Sequence, residues 1–351
     1  MGTGCDINNS KKVILQSSGK LQLPVHLSPS LHDSTSQPTL GYTAHMTQTK
    51  PRPVPTGGTL GLVSPSSAIS AESLEPGLAY LQAQGYRIKR FPSLYAKHHE
   101  LAGTDEARAA DLKAAFEDPE VDAVLCSRGG YGCARLIPHL DFEALAAHRK
   151  LLIGYSDITT LHLAFQNVGF ATLHGAVGVT FSKPREPWVW ESFGNALTGD
   201  LIRPKDAPVG ETVRPGRAEG EVIGGCLRLI CDALGTPDAP DTDGKILLIE
   251  DTGEKAYRVD AMLTQLLNAG LLQRSAGIVI GEFSETDALS ERGDSPCWRS
   301  IVEERLGKIR VPTIVDYPIG HKSQILSVGL GVRAVLDADR GTLDYSERLC
   351  E

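Results

Sequence analysis

Past residue 55 the apolar positions fall into short unbroken runs separated by stretches of helical spacing, an alternation that predicts layered strands and helices. The first run, Thr59-Leu60-Gly61-Leu62-Val63, stops at Ser64-Pro65-Ser66-Ser67. Leu74, Leu78 and Leu81 then share one helical face that ends near Gly85, and an alternating strand follows over 86–90. The same rhythm predicts a helix over 106–116, a strand over 121–126, short helices to His148, a strand over 151–154 and a helix over 159–167. Apolar runs without polar alternation imply strands covered on both faces, hence a parallel sheet whose ligands lie beyond the carboxyl ends of its strands.

Residues 191–217 read as a linker between two domains, because the text from about 183 onward is irregular and holds Pro184, Pro187, Pro204, Pro208 and Pro215. Beyond it, strands are expected over 219–223, 245–250, 277–283, 311–315, 328–330 and 332–336, with helices over 257–268 and 298–306. The expected organisation is an α/β domain over 56–190 and a smaller β-rich domain over 218–351. Residues 1–55, rich in Ser, Thr, Gln and Pro and without sustained period, are expected to form a disordered leader.

Composition narrows the function without naming it. With 351 residues, 41% of them hydrophobic, the chain can build two apolar cores. A net charge of -8 gives no general attraction to phosphate backbones, so nucleic acid is not an expected partner. The seven cysteines lack paired CxxC spacing, which points to buried thiols rather than a metal site or disulfide framework. No run approaches the roughly 20 apolar residues of a membrane span, and residues 1–23 lack the apolar core of a secretory signal, so a cytoplasmic location is expected.

Several segments then carry candidate chemistry. In Gly154-Tyr155-Ser156-Asp157-Ile158-Thr159 a serine sits where a buried strand meets a helix. It reads either as a nucleophile held on a sharp turn beside free helix amides, or as a helix cap. Ser127-Arg128-Gly129-Gly130-Tyr131-Gly132 offers exposed backbone amides at another strand end, for an oxyanion or simply for a turn. Glu250 and Asp251 close the run Ile246-Leu247-Leu248-Ile249, where a carboxylate needs a partner. His321 ends a turn after the 311–315 strand, and His174 is a rival base at another strand end.

Together these segments resemble the LD-carboxypeptidase family, which includes murein tetrapeptide carboxypeptidases and microcin C immunity peptidases. The resemblance spans about 59–338 and also rests on Gly224-Gly225-Cys226-Leu227, on Leu248 to Glu254 followed by Tyr257-Arg258-Val259-Asp260, and on Pro318-Ile319-Gly320-His321. It implies a flavodoxin-like first domain, a cleft between the domains, a homodimer, and a metal-free Ser156, Glu250, His321 triad. It further implies an oxyanion hole from the amides of Asp157 and one of Gly129 and Gly130, with Gly130 preferred, and a substrate contact at Cys226. The implied reaction is hydrolysis of the bond between diaminopimelate and terminal D-Ala in a cytoplasmic muropeptide. The chain departs from the family at Cys226, where Asn is usual, and over 322–331. If it were instead an immunity-type hydrolase of acyl-sulfamoyl adenylates, Trp188 and Trp190 would be its candidates for stacking a nucleobase; a further alternative is a non-catalytic muropeptide-binding protein that keeps the fold.

Overall fold

The computed structural model describes residues 49–287, 296–322 and 324–351, so most of the leader, residues 1–48, lies outside the described residues. The first half builds β1 (Thr59–Val63), α1 (Ala71–Ala83), β2 (Arg87–Arg90), α2 (Asp105–Glu117), β3 (Ala123–Cys126), α3 (Phe142–Ala147), β4 (Leu151–Gly154), α4 (Thr159–Asn167), β5 (Thr172–His174) and α5 (Pro187–Leu197). The second half adds β6 (Glu211–Arg214), β7 (Arg217–Cys226), α6 (Leu227–Ala233), β8 (Ile246–Thr252), α7 (Ala256–Asn268), α8 (Leu271–Arg274) and β9 (Gly277–Ser284). It closes with α9 (Trp298–Leu306), β10 (Thr313–Val315), β11 (Val328–Leu330), β12 (Arg333–Asp337) and β13 (Thr342–Tyr345).

The first sheet runs β2-β1-β3-β4-β5-β11. Its first five strands are parallel in the flavodoxin order, as the resemblance implies. Its sixth strand was not anticipated: β11 comes from the second half and pairs antiparallel with β5, Val328 opposite His174. The apolar runs have the predicted cause. Leu60, Leu62, Leu125 and Ile153 pack into one cluster, while Val63, Val124, Cys126 and Leu152 point the other way into another.

The second sheet runs β13-β12-β7-β8-β9-β10-β6 and is parallel only from β7 to β10. Leu247, Ile249, Ile278 and Ile280 pack beneath α7 and α9, whose stripe includes Val259, Leu263, Ile301 and Val302. On the opposite face Leu248, Val279, Ile314 and Leu336 join the same cluster as Leu60 and Leu62. One apolar core therefore runs through both sheets.

Two stretches behave differently from their composition. Residues 49–55, placed in the leader, are packed: Thr49 bridges to Phe170, Arg52 N–H donates to the Arg149 carbonyl at 2.8 Å, and Val54 is buried. A single buried valine among prolines gives no period to read. Within the expected linker lie most of α5 and all of β6. Pro187 occupies the first turn of α5, where its missing N–H is harmless, and Trp188, Val189, Phe193, Ala196 and Leu197 form its buried face. Proline density concealed that stripe.

Candidate active site

Ser156, Glu250 and His321 come from three strand ends and meet. Ser156 follows β4 with φ 65°, a left-handed conformation uncommon for a residue bearing a β-carbon. Glu250 lies near the end of β8 where its register with β9 shifts between Ile249 and Asp251, an irregularity of the kind that re-aims a side chain. His321 follows β10 in a loop tied down by Tyr317 N–H on the Ile280 carbonyl at 3.0 Å and Leu326 N–H on the Pro318 carbonyl at 2.7 Å. Gly320 is left-handed, φ 91°, and a β-carbon there would overlap the Glu250 carboxylate.

The three side chains form a chain of hydrogen bonds. His321 Nδ1 lies 2.8 Å from Glu250 Oε2, and His321 Nε2 lies 3.0 Å from Ser156 Oγ. With Nδ1–H donating to the carboxylate, Nε2 is free to accept the serine proton. Glu250 is fully buried. Burial alone would raise its carboxyl, but the charge and hydrogen bond of His321 hold it below the ordinary carboxylate value. Burial pulls His321 down, yet the Glu250 carboxylate, with Asp251 and Glu285 behind it, leaves the imidazole above its ordinary value. The Tyr155 ring stands edge-on against His321, with centroids 5.0 Å apart.

The remaining candidates separate into neighbours and supports. Gly129 lies against the serine: a β-carbon there would stand 2.7 Å from that of Ser156. At Gly130 a β-carbon would meet Ser67 instead. The Asp157 carboxylate is buried and accepts from Ser66 Oγ at 2.7 Å and Cys133 N–H at 2.9 Å, which fixes the loops after β1 and β3 around the serine turn. Cys226 reaches the site through its backbone, whose N–H donates to Thr159 Oγ1 at 2.9 Å. Its thiol is buried and raised by burial, so it stays protonated.

His174 is set apart from the chain of hydrogen bonds. It is buried on β5 with both ring nitrogens unpartnered, and burial lowers it to about 4. Trp188 is 6% exposed, and Trp190 packs against Tyr80, Tyr86, Phe181 and Phe193. Trp188 therefore has a core role, while Trp190 is partly buried against the edge of the same cluster. The partners of Thr159, Ser66 and Asp251 escaped sequence reasoning. Asp251 accepts from Arg228 N–H at 2.9 Å at the start of α6 and is pushed up to about 7, by burial first and then by the Glu250 charge. Only the position of Thr159 in the serine motif hinted at any of this; pairing across 67 residues has no local signal.

Two family models cover most of this architecture, that of the LD-carboxypeptidase N-terminal domain over residues 60–175 and that of the C-terminal domain over 219–336. The chain belongs to the LD-carboxypeptidase family. Among the relatives of this LD-carboxypeptidase family member, a putative carboxypeptidase of Streptomyces coelicolor is 40% identical over 84% of this chain and 95% of its own. The murein tetrapeptide carboxypeptidase of Pseudomonas aeruginosa is 36% identical over 82% of this chain and 95% of its own. A solved structure of MccF, the microcin C7 self-immunity protein of Escherichia coli, in complex with glutamyl sulfamoyl guanosine superimposes with a TM-score of 0.77. It covers 86% of this chain and 100% of that one at 23% identity, a likeness of fold. Family membership makes the protein a serine-type carboxypeptidase. Among the described residues no helix is long and apolar enough to cross a membrane.

Proposed function

We propose that the protein hydrolyses the LD peptide bond between diaminopimelate and the terminal D-Ala of a murein tetrapeptide, in the recycling of cell-wall peptides. The observation that carries this reading is the unbroken Ser156, His321, Glu250 chain at 3.0 and 2.8 Å, in a family whose relatives include a murein tetrapeptide carboxypeptidase.

In this mechanism Ser156 Oγ attacks the scissile carbonyl while His321 Nε2 takes its proton. The resulting oxyanion lies beside the serine turn, where the N–H groups of Asp157 and of one of the Gly129-Gly130 pair, Gly130 preferred, are its donors. His321 then returns the proton to the departing D-Ala nitrogen, and Glu250 supports the imidazolium throughout. Water, deprotonated by His321, attacks the acyl-serine and releases the tripeptide.

Mass spectrometry of L-Ala-D-Glu-diaminopimelate-D-Ala after incubation with the protein tests this reading, with Ser156→Ala as control. Loss of D-Ala with the wild type alone is expected. An intact tetrapeptide, with cleavage of an acyl-sulfamoyl adenylate instead, would transfer the same residues to the immunity-type reaction.

A further inference from the structure

A carboxypeptidase must recognise the free carboxylate at the end of its substrate, and that carboxylate cannot be far from the attacked carbon. Only three bonds separate the two carbons, C–N, N–Cα and Cα–C, about 4.3 Å along the chain. The group that binds it must flank Ser156 directly.

Arg128 is held on the backbone beside the serine turn. Its Nε–H donates to the Gly129 carbonyl at 3.1 Å, and its Nη1 donates to the Ala68 carbonyl at 3.3 Å. The guanidinium is thus anchored on the glycine whose α-carbon faces the Ser156 side chain. It is half-buried, and among the described residues its hydrogen-bond partners are carbonyls, with no carboxylate. Lys322, next to His321, pairs with Glu282 at 3.4 Å and Asp316 at 3.7 Å, Arg228 pairs with Asp232 at 3.0 Å, and Arg185 donates its Nε–H to the Thr180 carbonyl at 2.8 Å. In a chain with an excess of acids, a half-buried arginine held on carbonyls at the edge of the serine turn is an anion site in waiting. Its field reaches the site. Burial raises the Tyr155 phenol, and the charges of Arg185 and Arg128 act against that rise.

We propose that Arg128 binds the terminal carboxylate of the peptide and so makes the enzyme act on chain ends; this rests on the serine-peptidase reading above. The remaining guanidinium N–H groups would grip the D-Ala carboxylate while its amide carbon lies over Ser156. After cleavage the same contact holds the free amino acid until it leaves.

The test compares the tetrapeptide with its C-terminal amide. Wild-type kcat/KM should favour the acid by roughly 10- to 150-fold, the value of a hydrogen bond to a charged group. Arg128→Gln should lose that preference by falling on the acid and not on the amide, and Arg128→Lys should restore part of it. An equal fall on both substrates would make Arg128 a clamp for its loops and overturn the proposal, as would an unchanged preference. Calorimetric titration of Ser156→Ala with the two peptides gives a readout independent of turnover: the acid should bind tighter, and Ser156→Ala/Arg128→Gln should bind both alike. Equal binding by Ser156→Ala overturns the proposal. Absence of wild-type cleavage beside preserved acid-selective binding counts against the muropeptide reaction and leaves the Arg128 site standing.

Discussion

Ser156 keeps a left-handed backbone because the turn projects its hydroxyl at His321, and a residue with a β-carbon holds that conformation at about 1–2 kcal/mol. Ser156→Ala and Ser156→Gly both remove the hydroxyl, and both should abolish turnover. Only glycine relieves the backbone, so Ser156→Gly should be the more stable by roughly 0.5–1 kcal/mol in urea melts. Titration belongs to the same scale. In the proposed mechanism a neutral His321 is the base, and its value is raised, so kcat/KM should fall on acidification with a half-point above about 6.5. Glu250→Gln should move that half-point down and lower kcat on the order of 10⁴-fold, as in other triads that lose their carboxylate. The stability linked to His321 is present below about 6.5 and lost as pH rises through its raised value. That linked to Glu250 is present above about 4.5 and lost as pH falls through its lowered value.

At the scale of elements, the site depends on close approaches at strand and helix ends. Thr159 begins α4 and accepts the Cys226 N–H that ends β7, both groups buried. Thr159→Val leaves that N–H without a partner and should lower stability by about 1–3 kcal/mol; an unchanged denaturant midpoint would deny the tie any weight. Gly129 lies against Ser156, so Gly129→Ala should cost at least roughly 100-fold in kcat with the circular dichroism spectrum intact. Elements built on strong local pattern were legible, β1, β3, β4 and α7 among them. Those whose reason is remote were not: α5 hid behind proline, and the Val328–Leu330 strand could be read as a strand while nothing local said which sheet it joins.

Across the whole molecule, the shared core fixes the two sheets together, and with them the 3.0 Å contact between His321 and Ser156 that bridges the two halves of the chain. Behind the triad, His162 and His174 are buried and neutral, lowered by burial to about 3 and about 4. The unfolded chain takes up protons below about 6.5 that these folded rings refuse, so acidification from there to about 4 should erode stability. His174→Gln should flatten that slope by up to about 1.4 kcal/mol per pH unit in melts across the range.

The sequence by itself determined the layered α/β class and the succession of strands and helices, because apolar period is a local property that survives without coordinates, and the order of its motifs carried the family resemblance that implied a flavodoxin-like first domain and a Ser156, Glu250, His321 triad. Only the tertiary structure decided that the three side chains meet, that Gly129 lies against the Ser156 side chain, that Trp188 is buried, and that β11 crosses into the first sheet. Each of these depends on contacts between residues far apart in the chain, and such contacts follow from how two sheets bury one core, which no window of sequence contains.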